Sequence, residues 1–104
     1  MTMNKQKTLE ERLHDGSRAR EILENEQFNA SFDAIETEIS ETWKNSPARD
    51  SVAREKCYDY LKLLHKLKAQ LVSTLETGKL AEMELEHKKT LKDRLHAGWT
   101  SFTE

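Results

Sequence analysis

A repeated Glu-x-x-His pattern is the feature of this sequence that comes nearest to catalytic chemistry. Glu11 and His14 form the first pair, and Glu84 and His87 form the second. On a helix this spacing places carboxylate and imidazole on one face, as in two of the helices of di-iron four-helix bundles. Such a site also needs single carboxylates, and none is evident at the core positions of the apolar stripes. Because helices rich in Glu produce this pattern by chance, we expect no metal site and no cofactor.

Cys57 is the second candidate for chemistry, as a nucleophile with His65 as its base. The two residues lie on one predicted helix, about 12 Å apart along its axis, so they cannot touch. We interpret Cys57 as a small buried core residue and His65 as a residue bordering the core. The sequence contains no glycine-rich phosphate loop or nucleophile elbow. We therefore expect a protein that is not an enzyme, with no catalytic residue and no small-molecule substrate.

Composition favours long helices in a single small domain. Of the 104 residues, 36% are hydrophobic and 35% charged, with only three Gly and one Pro. Scarce turn residues favour an all-α fold, and the low apolar content makes oligomerisation a reasonable expectation. We expect one helical domain over residues 1–104, with flexible tails at 1–7 and 98–104. A lone cysteine, no apolar signal-peptide core and no transmembrane run predict a cytoplasmic protein without a membrane partner.

Apolar residues at helical spacing on both sides of a short connector predict an antiparallel helical hairpin. The upstream stripe is Phe28, Phe32, Ile35, Ile39 and Trp43, and the downstream stripe is Cys57, Leu61, Leu64, Leu67, Leu71 and Leu75. The connector, residues 45–50, contains the only proline, so the predicted helices are about 26–44 and 51–76. In this register Ile39 lies near Leu61, and Ile35 lies near Leu64 or His65.

Capping signals predict where the helices begin. Thr8 and Glu11 have the spacing of a capping box, Asn25 can cap a helix starting at residue 26, and Asp50 or Ser51 can cap the following helix. Gly16 offers a left-handed stop, which predicts a short N-terminal helix from residue 9 to about 15. Ser17 could then cap the next segment.

The chain beyond Gly78 continues a helical spacing but is mostly charged. It can form a separate C-terminal helix at about 79–97 that completes a small bundle with the hairpin, or an extension of the preceding helix through Gly78. A glycine inside a helix costs only about 1 kcal/mol relative to alanine, so both alternatives stay open.

The charge distribution argues against nucleic acid as the main partner. Residues 26–43 carry five acids and no Lys or Arg, whereas residues 52–75 carry five basic residues and two acids. Two basic clusters exist: Lys62, His65, Lys66 and Lys68, and then Lys88, Lys89, Lys92 and Arg94. We interpret the first cluster as neutralising the acidic helix and the second as a solvated face. Trp99 and Phe102 either fold back onto the hairpin or anchor a partner protein or another subunit.

A run of motifs around the connector resembles a known group of proteins. Asn45-Ser46-Pro47-Ala48-Arg49-Asp50, then Arg54-Glu55-Lys56 and Leu75-Glu76-Thr77-Gly78-Lys79-Leu80, are similar to short helical proteins encoded in tailed-bacteriophage and prophage genomes. The resemblance covers residues 28–81 and includes no catalytic motif. It implies a viral interaction or assembly protein.

These observations predict a non-enzymatic helical phage protein that binds protein partners or itself as a structural or assembly component of the virion. We expect it in the bacterial cytoplasm, associated with virion particles. A first alternative is a phage-encoded inhibitor or regulator that binds a host protein or nucleoprotein complex. The second is a DNA-binding packaging or regulatory factor, which requires a basic face that the acidic helix leaves unpaired.

Overall fold

The computed structural model describes the backbone of residues 7–103 and the side chains of residues 7–98. Three helices account for nearly all of this part: α1 is Leu9–Leu23, α2 is Glu26–Asn45 and α3 is Ser51–Thr103. No strand occurs among residues 7–103. The predicted all-α class is therefore confirmed.

α1 begins at the predicted capping box but does not stop at Gly16. The backbone N–H of Thr8 donates to Glu11 Oε1 at 2.9 Å, and the backbone N–H of Glu11 donates to Thr8 Oγ1 at 3.0 Å. The helix continues to Leu23, and no described glycine has a positive φ. The predicted stop at Gly16 and cap at Ser17 are therefore wrong. Gly16 is buried inside the helix, and because it has no side chain, the backbone of α3 can approach it closely.

α2 has the predicted beginning and end. Asn25 is extended, and its Oδ1 accepts a hydrogen bond from the backbone N–H of Phe28 at 2.7 Å. At the other end Ser46 is extended and donates its backbone N–H to the carbonyl of Trp43. The following Pro47 explains the stop, because proline disfavours the helical region for the residue before it.

α3 is one helix where two were predicted. Its start is capped by Asp50, whose Oδ1 accepts from the backbone N–H of Ala53 at 3.1 Å. The helix then runs through Thr77 and Gly78 to Thr103, so a separate C-terminal helix at 79–97 is wrong and the extension is correct. The cost of helical Gly78 is small, and the residue is buried against the backbone of α1.

The described chain divides into two compact units, and the boundaries fall inside α1 and inside α3. Unit 1 comprises Met1–Arg18 and Thr74–Glu104, and unit 2 comprises Ala19–Ser73. Leu9 and Ala81 are buried in unit 1; Ala19, Phe32 and Cys57 are buried in unit 2. The predicted hairpin and bundle stay predictions, and the predicted tails at 1–7 and 98–104 lie almost wholly outside the described side chains.

Candidate protein-binding site

The two Glu-x-x-His pairs both belong to unit 1, but they do not form a described metal centre. The Glu11 carboxylate accepts the backbone N–H of Thr8 in the capping box. His14, Glu84 and His87 are exposed. Among the described residues, no group of three or more His, Cys, Asp or Glu side chains could hold a metal ion.

Cys57 and His65 have the separate environments that their spacing predicts. Cys57 is a free thiol, 5% exposed, which confirms it as a buried core residue. The His65 ring stacks on Phe32, with centroids 6.3 Å apart, and its Nε2 lies 2.5 Å from Glu36 Oε2. Glu36 belongs to the acidic helix that the cluster containing His65 is expected to neutralise, but the sequence pattern does not single out this carboxylate.

The Glu36–His65 pair borders a small polar depression of about 310 Å³. Ser40 and Lys44 also line it. An imidazole oriented by a carboxylate can act as a base when a nucleophile is hydrogen-bonded to it. No hydrogen bond joins Ser40 to His65 in the part of the chain described, so the pair links α2 to α3 rather than forming a triad.

Several cationic side chains of unit 2 lie over aromatic rings rather than beside carboxylates. The cation lies 4.7 to 5.3 Å from the ring centroid in three pairs: Arg54 over Trp43, Lys62 over Tyr58 and Lys68 over Phe32. Such contacts are attractive because the ring face is negative. The first basic cluster is thus partly engaged within its own unit. Lys68 lies over a ring of the acidic helix α2 and His65 pairs with Glu36 of that helix, whereas Lys62 lies over a ring of α3 itself.

The C-terminal part of α3 is a different surface. Every residue from 86 to 98 is exposed, including the predicted cluster of Lys88, Lys89, Lys92 and Arg94. The backbones of Trp99 and Phe102 are helical, but their side chains lie outside the described residues. Their assignment as partner-binding residues stays a prediction.

An open apolar groove of about 660 Å³ lies within unit 2. We refer to it as the unit 2 groove. Residues of both α2 and α3 line it: Ile35, Ile39, Tyr60, Leu63, Leu64, Lys66, Leu67 and Gln70. Ile35 and Leu64, which the sequence placed near each other, therefore lie on one surface.

Several large side chains of the unit 2 groove are exposed to solvent. Ile35 is 47% exposed, Leu67 53% and Leu63 67%, while Phe32 on the inner face of α2 is only 5% exposed. The apolar surface of each helix is thus wider than its partner in the unit covers. An exposed apolar cluster of this kind, rimmed by polar residues, marks a protein-interaction surface.

Comparisons with known proteins give no relative for this chain. No family model matches it, and neither the curated proteins nor the solved structures contain a match. None of the described helices contains a stretch long and apolar enough to cross a membrane.

The signal for the unit 2 groove was present in the sequence. Tyr60 and Leu63 are apolar residues outside the stripe that continues from Leu64 to Leu67. They make the apolar face of α3 wider than the strip of residues that one packed helix covers. The stripe by itself predicts an internal core, and the sequence singles out partner-binding residues only at Trp99 and Phe102.

Proposed function

We propose that this protein is a non-enzymatic helical interaction protein of phage origin that self-associates as a structural or assembly component of the virion. The single observation that carries the proposal is the unit 2 groove, which exposes Ile35, Tyr60, Leu63 and Leu67 on one surface. Removing apolar surface from water contributes about 25 cal/mol per Å², which favours covering these side chains with another protein surface.

The working element of this protein is an antiparallel hairpin of α2 with the first part of α3. Contacts spread along both helices support this arrangement. Near one end Arg54 lies over Trp43, and farther along Phe32 and Glu36 contact His65. A hairpin held at several points can present a broad apolar face without losing its own packing.

The assignment to virion assembly rests on the resemblance of residues 28–81 to short helical phage proteins. Assembly proteins of particles act through repeated contacts between copies, and a helix with an exposed apolar face suits such contacts. The expected location is the cytoplasm of the bacterial host and, after assembly, the particle.

Light scattering of the purified full-length chain over a wide concentration range tests the proposal. A dimer or larger oligomer that forms reversibly with rising concentration is the expected result. A chain that stays monomeric at every concentration would overturn self-association. If that monomer also captured one host protein stoichiometrically, the inhibitor alternative would replace the assembly role.

A further inference from the structure

We infer that the unit 2 groove is filled by the same groove of a second copy, with α2 of each copy packed beside α3 of the other. This inference deepens the proposed function and rests on it, because it names the partner and the contact. It requires an interface that is complementary to itself, which is the property of every two-fold symmetric contact.

Charge is the first argument for a second copy. α2 carries five acids and no Lys or Arg over residues 26–43, while residues 52–75 of α3 carry five basic residues against two acids. One unit thus holds both signs, each on its own helix. In a two-fold symmetric dimer, the basic α3 of each copy lies beside the acidic α2 of the other, so the favourable charge contact forms twice. An unrelated partner would need both an acidic and a basic surface of its own to make the same contacts.

Two charged residues are placed to make this contact. Lys66 lines the groove on α3. Glu38 is not a lining residue, but it lies three residues after Ile35 on α2, and residues at this spacing are neighbours on a helix surface. Both side chains are exposed, and neither forms an ion pair with another described residue. We assign Glu38 of each copy to Lys66 of the other.

The apolar centre supplies the second argument. Leu63 and Leu67 are one helical turn apart on α3 and remain more than half exposed, at 67% and 53%. Ile35 faces the groove from α2. An interface with an apolar centre and charges at its rim is the usual anatomy of a stable contact between two copies.

Leu63→Glu in the full-length chain is the decisive variant, with Leu80→Glu as its matched control. Both leucines lie on α3 and are similarly exposed, at 67% and 65%, but only Leu63 lines the groove. We expect Leu63→Glu to raise the dimer dissociation constant on the order of tenfold or more, measured by sedimentation equilibrium. We expect Leu80→Glu to change it by less than about twofold. Circular dichroism checks that both variants keep their helices.

Charge reversal tests the pairing itself. We expect Glu38→Lys and Lys66→Glu to weaken the dimer severalfold each, and the double variant to recover most of the loss, because it restores opposite charges at both contacts. A double variant as weak as the two single effects combined would overturn the assigned pairing.

The outcomes separate this inference from the proposed function. If the natural chain self-associates and Leu63→Glu associates equally well, the groove is not the contact, while self-association stands. If the natural chain is monomeric at every concentration, both the inference and the proposed function fail.

Discussion

Gly16 of α1 and Gly78 of α3 meet so closely that a Cβ added to either would lie 2.7 Å from the Cα of the other. The neighbours of such a Cβ are backbone atoms, including the Arg12 carbonyl oxygen at 3.1 Å from a Cβ on Gly78. Backbone atoms cannot rotate away as a side chain can. The two glycines therefore set the distance between α1 and α3 within unit 1.

Alanine at Gly78 should destabilise the protein even though alanine is the better helix former. The gain in helix propensity is about 1 kcal/mol, whereas forcing an extra carbon into a close-packed contact typically costs about 1–3 kcal/mol. Because the backbones must separate, the cost should lie in the upper part of that range, about 2–3 kcal/mol. We therefore expect a net loss of roughly 1–2 kcal/mol in the free energy of unfolding, measured by urea denaturation.

Gly98→Ala is the matched control for that experiment. Gly98 is also inside α3, but nothing lies within 4 Å of a Cβ placed there. We expect this variant to be as stable as the natural chain or more stable by up to about 1 kcal/mol. If Gly78→Ala were stabilising to the same degree, the close contact between the two glycines would be contradicted.

The contact between Gly16 and Gly78 shows which parts of the fold can be predicted from the sequence and which cannot. The caps at Thr8 and Asn25 were predictable, because each depends on residues within one turn of the helix. The role of Gly16 was not, because it depends on Gly78, which is distant in sequence and contributes no side chain to any pattern. A helical glycine therefore has the same local signal whether it ends a helix or packs inside one.

The candidate site was only partly predictable for a related reason. Helical periodicity identifies apolar residues such as Ile35 and Leu67, but it does not say which of them a neighbouring helix covers. That depends on how wide the contact is, and here Phe32 is covered while Leu67 is left exposed. Apolar stripes wider than one helix seam are consequently the pattern that predicts a further partner.

Asn25→Ala should weaken the start of α2. The Asn25 Oδ1 accepts the backbone N–H of Phe28, and removal of such a cap typically costs about 1 kcal/mol. We expect this loss in urea denaturation followed by circular dichroism. Asn25→Asp keeps an acceptor at the same position and should stay within about 0.5 kcal/mol of the natural chain. Equal losses in both variants would contradict a capping role.

The ion pair of Lys7 with Asp15 predicts a specific pH dependence. The pKa of Lys7 is raised above its usual value of 10.5, first by the hydrogen bond to Asp15 and then by the charge of that carboxylate. A raised folded-state pKa means that the contribution to stability is complete below pH 10.5 and disappears as pH rises through the folded-state pKa.

Lys7→Met should therefore have a slightly lower Tm than the natural chain at neutral pH, and the difference should vanish in strongly alkaline solution. The effect is small because the side chain of Lys7 is exposed. Lys79→Met, at another exposed lysine of unit 1, should show no such convergence. A difference in Tm that persisted well above pH 10.5 would point to a contribution from Lys7 that does not depend on its charge.

Arg54 and Trp43 should show measurable energetic coupling between α2 and α3. The guanidinium carbon lies 4.7 Å from the Trp43 ring centroid, and the same side chain donates a 3.3 Å hydrogen bond to Ser46 Oγ. A double-mutant cycle with Trp43→Leu and Arg54→Met should give a coupling of about 0.5–1 kcal/mol.

Arg54→Lys keeps the charge without the planar stacking surface, so it should retain only part of that coupling. Ser46→Ala removes the hydrogen bond from Arg54 and the 2.6 Å bond from Ser46 Oγ to the Trp43 carbonyl, but it leaves the ring contact, so the coupling should stay nearly intact. If the Trp43 and Arg54 effects were additive within about 0.3 kcal/mol, the cation–π contact would contribute nothing to joining the two helices.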